Sequence, residues 1–395
     1  MMAITCFFLT ILTANSVVLG QTINKMPQIE ILERLFGIYD GTVPPKPRRD
    51  DKGPVQVEVN FNLHRLKFDT NNMVMETTML FRQSWEDKRL EFDGRLHPYI
   101  VIPPQFVELL WKPDTYVING HLEPESGLQG TASLVRLYPN GVILYSRRIR
   151  TVSDCPAELR YYPFDQQECP IKFGSYAFDR SIVDYDWKLN FPVQISEAVQ
   201  DSLPDFILGN ITTDVCSSGT KLGKYGCIQA IFPFDRHFSG AVFRTIVSPA
   251  ILVALSWLAF WIHHQYSAVA RIILGLSLLA MTGTIAAYSL KDFPSMSYIS
   301  AVHIWYAGCL LFIIASLLET VIVNVMARSG KLGRRQTYKV LQNSEDKHLV
   351  EEDFKSKCRV SVPSVLDCIS AFLFPILFAT FMAAFFILFY SQQNV

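Results

Sequence analysis

The sequence has no surplus of charge of either sign and little charge altogether. Its 395 residues carry 36 basic and 36 acidic side chains, and charged residues make up 18% of the chain. A balanced chain without a long basic run gives no indication of nucleic-acid binding. A glycine-rich phosphate loop, an HExxH zinc motif and a nucleophile elbow are also missing. The sequence therefore predicts neither an enzyme nor a nucleic-acid-binding protein, and we expect no cofactor and no bound metal.

Hydrophobic residues, in contrast, make up 50% of the chain, and the longest apolar runs lie in its second half. Four of these runs are nearly free of charge, and each is close to the ~20 residues that a helix needs to cross a bilayer. They are 245–262, 272–290, 299–318 and 369–390. The runs predict four transmembrane helices.

The first half has the pattern of β-strands. From Val55 to His64 every odd position is apolar and every even position is polar, as in a strand with one solvated face. Shorter runs follow, separated by turns such as Tyr138-Pro139-Asn140-Gly141. We therefore predict a multidomain membrane protein, in which an extracellular antiparallel β-sandwich is followed by a four-helix transmembrane bundle.

The predicted topology places the two ends of the chain outside the cell. Residues 1–20 are expected to be a signal peptide, with a short anchor helix as the alternative. The sandwich then takes residues 21–242, three membrane helices take 243–326, and a cytoplasmic loop takes 327–361. That loop carries nine Lys and Arg residues, in agreement with the positive-inside rule. Residues 362–395 form the fourth helix and a short extracellular tail.

Two kinds of covalent modification are expected outside the cell. Asn210 begins an Asn-Ile-Thr glycosylation sequence. Four of the eight cysteines lie in the predicted extracellular part, and this even number fits two disulfides. Nearest-neighbour pairing would join Cys155 to Cys169 and Cys216 to Cys227. Zinc binding is the competing interpretation, although neither pair has the C-x2-C spacing of a structural zinc site.

The segment from Cys155 to Cys169, with Tyr162-Pro163-Phe164-Asp165 near its middle, resembles the signature loop of the Cys-loop ligand-gated ion channels. Trp85, the sequence Trp111-Lys112-Pro113-Asp114, the four predicted spans and Pro249 in the first span extend the resemblance over the mature chain. The second cysteine pair is similar to that of glycine-receptor-like and glutamate-gated members. The resemblance implies a pentamer of identical or homologous subunits around a pore in the plasma membrane, of a kind found at postsynaptic sites.

The same resemblance implies an agonist site between subunits. One subunit is expected to supply Tyr116, Ser175, Tyr176 and Tyr225, and its neighbour Arg82 and Ser146. Aromatic rings would hold the ammonium group of a small agonist, and the guanidinium would hold a carboxylate, which suggests an amino acid. The alternative for Arg82 is a solvated or salt-bridged residue of the sheet.

The second predicted span has a polar stripe. Ser277, Thr284 and Lys291 recur every seven residues, and Ile273 and Ala280 lie between them on the same face. We predict that Ile273, Ser277, Ala280 and Thr284 line a water-filled pore. The alternative is that the hydroxyls only hydrogen-bond their own backbone, as they often do in membrane helices.

Chloride selectivity is predicted from the cytoplasmic end of this helix. No acidic residue occurs between Ile262 and Lys291, and a ring of Arg271 side chains would attract anions. Val269 stands where anion-selective relatives carry proline. An alternative alignment shifts Arg271 by one residue and places Leu279 at the gate.

Gating is expected to pass from the signature loop to the membrane helices. Tyr162, Pro163, Phe164 and Asp165 are predicted to contact the linker that begins at Lys291, with Arg236 as the electrostatic partner. The predicted function is thus a chloride channel opened by a small extracellular agonist. The alternatives are a cation-selective channel, a channel gated by protons, metal or an amine, and a subunit that does not conduct alone.

Overall fold

The computed structural model describes residues 26–45, 53–95, 97–123, 133–220, 223–262, 268–291, 293–294, 296–342 and 362–390. The predicted signal peptide and residues 343–361 of the predicted cytoplasmic loop lie outside these ranges. The described chain forms two parts, a β-rich part followed by long apolar helices.

Thirteen strands are described, and they form two sheets that pack face to face. The larger sheet has the order β10-β1-β2-β7-β6-β3, with β9 beside β1 and β5 beside β7. Its strands are β1 (Val55–Asp69), β2 (Val74–Glu86), β3 (Ile100–Val101), β5 (Gly120–Glu123), β6 (Ser133–Leu137), β7 (Val142–Asp154), β9 (Val183–Trp187) and β10 (Val193–Ile195). The smaller sheet has the order β11-β13-β8-β4, with β12 beside β13. Its strands are β4 (Thr115–Val117), β8 (Gln166–Ser175), β11 (Phe206–Leu208), β12 (Thr212–Thr220) and β13 (Gly223–Arg236).

The alternating sequence of β1 produces this packing. Its odd residues from Val55 to Leu63 are buried, and Phe61 stacks on Phe232 of the other sheet with ring centroids 6.4 Å apart. Phe81 and Phe173 make a second contact between the sheets at 4.8 Å. The buried apolar faces hold the two sheets together, since this area is removed from water. The predicted sandwich is confirmed.

Nine α-helices are described. They are α1 (Met26–Phe36), α2 (Pro104–Val107), α3 (Ala198–Asp201), α4 (Phe238–Val242), α5 (Ser248–Ser256), α6 (Leu258–Trp261), α7 (Ala268–Lys291), α8 (Ala301–Gln342) and α9 (Val362–Tyr390). Four segments are long and apolar enough to cross a membrane: Gly240–Trp261, Ala268–Lys291, Ala301–Ser329 and Pro363–Phe389. The prediction of four transmembrane helices is confirmed.

Two helices differ from the sequence-based expectation. The first span is broken by a π-helical turn at Phe243–Val247, just before Pro249. Proline has no backbone N–H and cannot continue the regular ladder, so a wider turn precedes it. The third span continues as helix to Gln342, so the segment expected to be a loop from residue 327 begins as an extension of α8.

Candidate functional site

Three tyrosines lie on, or directly after, neighbouring strands of the smaller sheet. Tyr116 on β4 pairs with Gly174 of β8, and Tyr176 follows the end of β8. The rings of Tyr116 and Tyr176 meet edge to face with centroids 5.5 Å apart, and Tyr176 is 76% exposed. Tyr225 is on β13, the other neighbour of β8. We call Tyr116, Tyr176 and Tyr225 the tyrosine face.

Asp114 holds the loop that carries Tyr176. Its carboxylate accepts hydrogen bonds from the Ser175 hydroxyl at 2.6 Å and from the backbone amides of Tyr176 and Ala177 at 3.0 and 2.6 Å. Ser175 is 2% exposed, and its hydroxyl also accepts from the Phe178 amide at 2.9 Å. The Ser175 hydroxyl is therefore used inside the loop, and a contact of this residue with an agonist stays a prediction.

A cluster of arginines lies on the outer face of the larger sheet. Arg82 on β2 pairs directly with Ser146 on β7. Its side chain points outward, because the neighbouring residues Phe81 and Gln83 are buried in the core. Arg82 donates to the Gln194 side chain at 3.4 Å. We call Arg82, Arg136, Ser146 and Arg148 the arginine face, since all four line one open cavity of about 550 Å³.

The sequence-based search missed Arg136 and Arg148. Arg148 could have been found from the sequence, because it is two residues from Ser146 on β7 and alternate residues of a strand lie on the same face. Arg136 lies on β6, where Leu134 pairs with Ser146, and its guanidinium stacks over the Tyr99 ring at 4.9 Å. The two faces are on different sheets. The site between subunits that the resemblance implies would take one face from each of two chains, and it stays a prediction.

Two disulfides support these loops. Cys155 is bonded to Cys169, which closes the signature loop, and Cys216 is bonded to Cys227 across the β12–β13 hairpin that carries Tyr225. In the described part of the chain, no cluster of three or more His, Cys, Asp or Glu side chains could hold a metal ion. Asn210 is exposed between β11 and β12, and its glycosylation stays a prediction.

The tip of the signature loop reaches the membrane helices. Asp165 accepts two hydrogen bonds from Arg236, at 2.7 and 2.8 Å, and both side chains are at least nine-tenths buried. The guanidinium also lies 4.6 Å from the centre of the Tyr162 ring. Phe164 is buried among membrane helices and meets Phe386 of α9 at 6.0 Å. Pro163 follows Tyr162 through a cis peptide bond.

The linker between α7 and α8, which was expected to contact this tip, does so through Phe293, and Tyr298 adds a contact just beyond the expected stretch Lys291–Ser297. Phe293 packs edge-on against Tyr162 at 4.7 Å, and the Tyr298 hydroxyl accepts a hydrogen bond from the Leu159 amide at 2.9 Å. Burial raises the pKa of Tyr162, so its ring stays neutral in this contact. Lys291 is exposed at the end of α7, and its part in this contact stays a prediction.

One face of α7 is exposed and the opposite face is packed. Ile273, Ser277, Ala280 and Thr284 all lie on the exposed face, with Lys291 at its end. The packed face carries Gly275, where a Cβ atom would lie 2.6 Å from Leu317 of α8. The Ser277 and Thr284 hydroxyls donate to the carbonyls of Leu274 and Met281. Ser277 and Thr284 thus lie on the exposed face and also hydrogen-bond their own backbone, although the sequence presented these two features as alternatives.

Arg271 does not lie on the exposed face. It is 1% exposed and pairs with Asp367 of α9 at 3.0 Å. The prediction of a guanidinium ring facing the pore is therefore wrong in this structure. The helical arithmetic already contained the reason, because Arg271 is two residues, or about 200°, from Ile273.

Models of two families match the chain. Residues 28–238 match the neurotransmitter-gated ion-channel ligand binding domain, and residues 246–344 match the neurotransmitter-gated ion-channel transmembrane region. A glutamate-gated chloride channel subunit beta of Haemonchus contortus is 35% identical over 306 residues, which cover 75% of this chain and 70% of that protein. A glutamate-gated chloride channel of Drosophila melanogaster is 31% identical over 310 residues, which cover 76% of this chain and 66% of that protein.

Proposed function

This chain belongs to the neurotransmitter-gated ion-channel family, and we propose that it forms a pentameric chloride channel opened by a dicarboxylic amino acid from outside the cell. The agonist would bind between the tyrosine face of one subunit and the arginine face of the next. The observation that carries this proposal is the arginine face itself, because Arg82, Arg136, Arg148 and Ser146 are among the residues that line one cavity.

The chemistry of the two faces fits a zwitterion with an additional acid. A guanidinium can bind a carboxylate through two parallel hydrogen bonds, and several arginines can share two carboxylates. The ammonium group would lie over the exposed ring of Tyr176 beside Tyr116, a contact worth ~0.5–2 kcal/mol. Both relatives described above are named as glutamate-gated, which favours glutamate within this class.

Features of the pore helix other than Arg271 support anion selectivity. No Asp or Glu occurs between residues 262 and 291. The described helix begins at Ala268, so five helix amino ends, each with partial positive charge, would meet at the cytoplasmic entrance. The relatives are named as chloride channels. Together these features favour an entrance that attracts anions and lacks the carboxylates that attract cations.

The test is voltage-clamp recording from cells that express only this chain. Glutamate, aspartate, glycine and γ-aminobutyrate are applied in turn, and the reversal potential is measured while external chloride is replaced by a large anion. We expect currents with the dicarboxylic amino acids whose reversal follows the chloride equilibrium potential. A reversal that follows sodium would favour the cation-selective alternative, and silence in cells with surface protein would favour a subunit that does not conduct alone.

Arg82→Ala tests the agonist site directly. Loss of a charge-assisted contact of about 1.5–3 kcal/mol should raise the half-maximal agonist concentration roughly tenfold to a hundredfold. Arg150→Ala is the matched control, because Arg150 lies on the same sheet but is paired with Glu76 and Glu123. Equal agonist sensitivity of Arg82→Ala and the wild type, at equal surface expression, would remove Arg82 from the site.

A further inference from the structure

The Arg271 side chain ties three membrane segments together at the cytoplasmic end of the pore helix. Its Nη1 and Nη2 atoms each donate to a carboxylate oxygen of Asp367 on α9, both at 3.0 Å. Its Nε donates to the Ile262 carbonyl, at the end of the first span, at 2.6 Å, and Nη2 also bonds this carbonyl. The guanidinium is thus held by the Asp367 carboxylate and the Ile262 carbonyl, on the packed side of α7.

The burial of this pair determines what happens when one partner is lost. The side chains of Arg271 and Asp367 are 1% and 9% exposed. Two charges taken out of water are tolerated only while they compensate each other, so removal of one leaves a buried, unpaired charge. The long Arg271 side chain would then leave its pocket for water at the cytoplasmic entrance.

The side of α7 that faces away from this pair carries no charge near its amino end. Val269 is 69% exposed, Ile273 is 61% exposed, and Ala270 between them is also exposed. A freed Arg271 guanidinium at this level would add a positive charge where the described helix presents only apolar side chains.

We propose that Asp367 is a positioning residue of the ion pathway: it holds the Arg271 guanidinium behind the pore helix as a neutral pair, so that this charge does not set ion selectivity. The proposal rests on the proposed function, in which α7 lines an anion pathway. It assigns to α9, the last of the four spans, a direct part in the electrostatics of the cytoplasmic entrance.

A second carboxylate in the same layer provides a control. Glu319 of α8 is nine-tenths buried and interacts electrostatically with both Asp367 and Arg271. Among the described residues, however, the carboxylate that hydrogen-bonds Arg271 belongs to Asp367. Glu319→Gln therefore removes a nearby acid and leaves the ion pair in place.

The experiment compares four variants with the wild-type channel by surface labelling, agonist-evoked current and reversal potential under chloride substitution. Asp367→Asn breaks the pair. Arg271→Asp with Asp367→Arg exchanges the charges, and Arg271→Met with Asp367→Leu replaces the pair by apolar side chains. Glu319→Gln is the matched control.

We expect Asp367→Asn to lower the current per surface receptor at least about tenfold. Both double variants should recover it to within about threefold of the wild type and keep the wild-type reversal potential, since neither charge faces the pathway. Glu319→Gln should resemble the wild type. A merely structural role of Asp367 would lower the surface labelling of Asp367→Asn, whereas this proposal predicts a fall in the current per surface receptor.

A shift of the charge-exchanged channel toward sodium would overturn the proposal, because it would place position 271 on the ion pathway. Wild-type current from Asp367→Asn would overturn it too, as would a failure of both double variants to conduct. The reversal potential of the wild type tests the proposed chloride selectivity, and the variants test the role of Asp367. A failure of the proposed function can therefore be distinguished from a failure of this inference.

Discussion

At the scale of single residues, a buried hydroxyl sets the shape of the tyrosine face. The Ser175 side chain joins Asp114 to the loop that presents Tyr176, and it lies out of reach of solvent. Its effect on agonist binding is therefore expected to pass through the position of the Tyr176 ring.

Ser175→Ala should raise the half-maximal agonist concentration, but by less than Arg82→Ala. The change leaves a carboxylate oxygen of Asp114 without one donor, which costs about 1–3 kcal/mol, and part of this cost is recovered as the loop relaxes. Concentration–response curves measure the effect. Ser181→Ala is the control, because the exposed Ser181 donates its hydroxyl to Asp179 in the same region. An unchanged curve for Ser175→Ala would contradict the proposed role.

The outward-facing residues of the site could be predicted from the sequence, and the buried partners could not. The family resemblance indicated Arg82 and Ser146, which the structure places opposite each other. Asp367, in contrast, is 96 residues from Arg271. No periodicity relates positions on two different helices, so their pairing depends on the packing of the whole bundle.

At the scale of elements, the signature loop and the α7–α8 linker form one aromatic contact. Tyr162 lies between the guanidinium of Arg236 and the ring of Phe293. A movement of the sandwich is thus expected to reach the pore helix through packed rings as well as through the Asp165–Arg236 pair.

Phe293→Ala should reduce agonist sensitivity without changing the agonist site. The ring pair contributes about 0.5–1.5 kcal/mol beyond the area it buries, so the half-maximal concentration should rise roughly threefold to tenfold. Concentration–response curves at matched surface expression provide the measurement. Ile299→Ala, at a side chain 72% exposed in the same linker, is the control. Equal shifts in both variants would argue against a specific contact.

Three strands of the larger sheet are joined through Glu76 of β2. Burial would raise its pKa, but hydrogen bonds from Arg150 of β7 and Lys67 of β1 outweigh this and lower the pKa below its ordinary 4.5. A lowered carboxyl pKa stabilises the fold above the ordinary value, and this stability is lost as the pH falls through the folded-state pKa.

The melting temperature of the purified receptor should therefore differ between the wild type and Glu76→Gln at pH 7, with the wild type higher. The difference should shrink once the pH falls well below 4.5, where Glu76 is protonated in both folded and unfolded chains. Glu58→Gln, at an exposed position of β1, serves as the control. A difference that persists unchanged at low pH would show that the ion pairs do not stabilise this sheet.

At the scale of the whole molecule, each proposed agonist site takes its two faces from two chains. A subunit in a closed ring contacts one neighbour through one surface and the other neighbour through a different surface. A chain with a damaged arginine face can thus still offer an intact tyrosine face to its neighbour.

Coexpression of an Arg82→Ala chain with a Tyr176→Ala chain should therefore restore part of the wild-type agonist sensitivity. Some interfaces in the mixed pentamers would join an intact Tyr176 to an intact Arg82. Each single variant alone should stay insensitive, and so should a chain that carries both changes. Concentration–response curves of the mixture report the recovery as a second, sensitive component. Its absence would contradict a site shared between subunits.

The position of Asp367 also makes the pore sensitive to the surrounding lipid. Of the four spans, α9 is the least buried against the rest of the chain, and it is also the helix that carries this carboxylate. A change in bilayer thickness tilts or shifts a helix to match its apolar length. A change in the tilt of α9 is therefore expected to move Arg271, at the cytoplasmic end of α7, through the Asp367–Arg271 ion pair. The same protein should conduct differently in thin and in thick membranes.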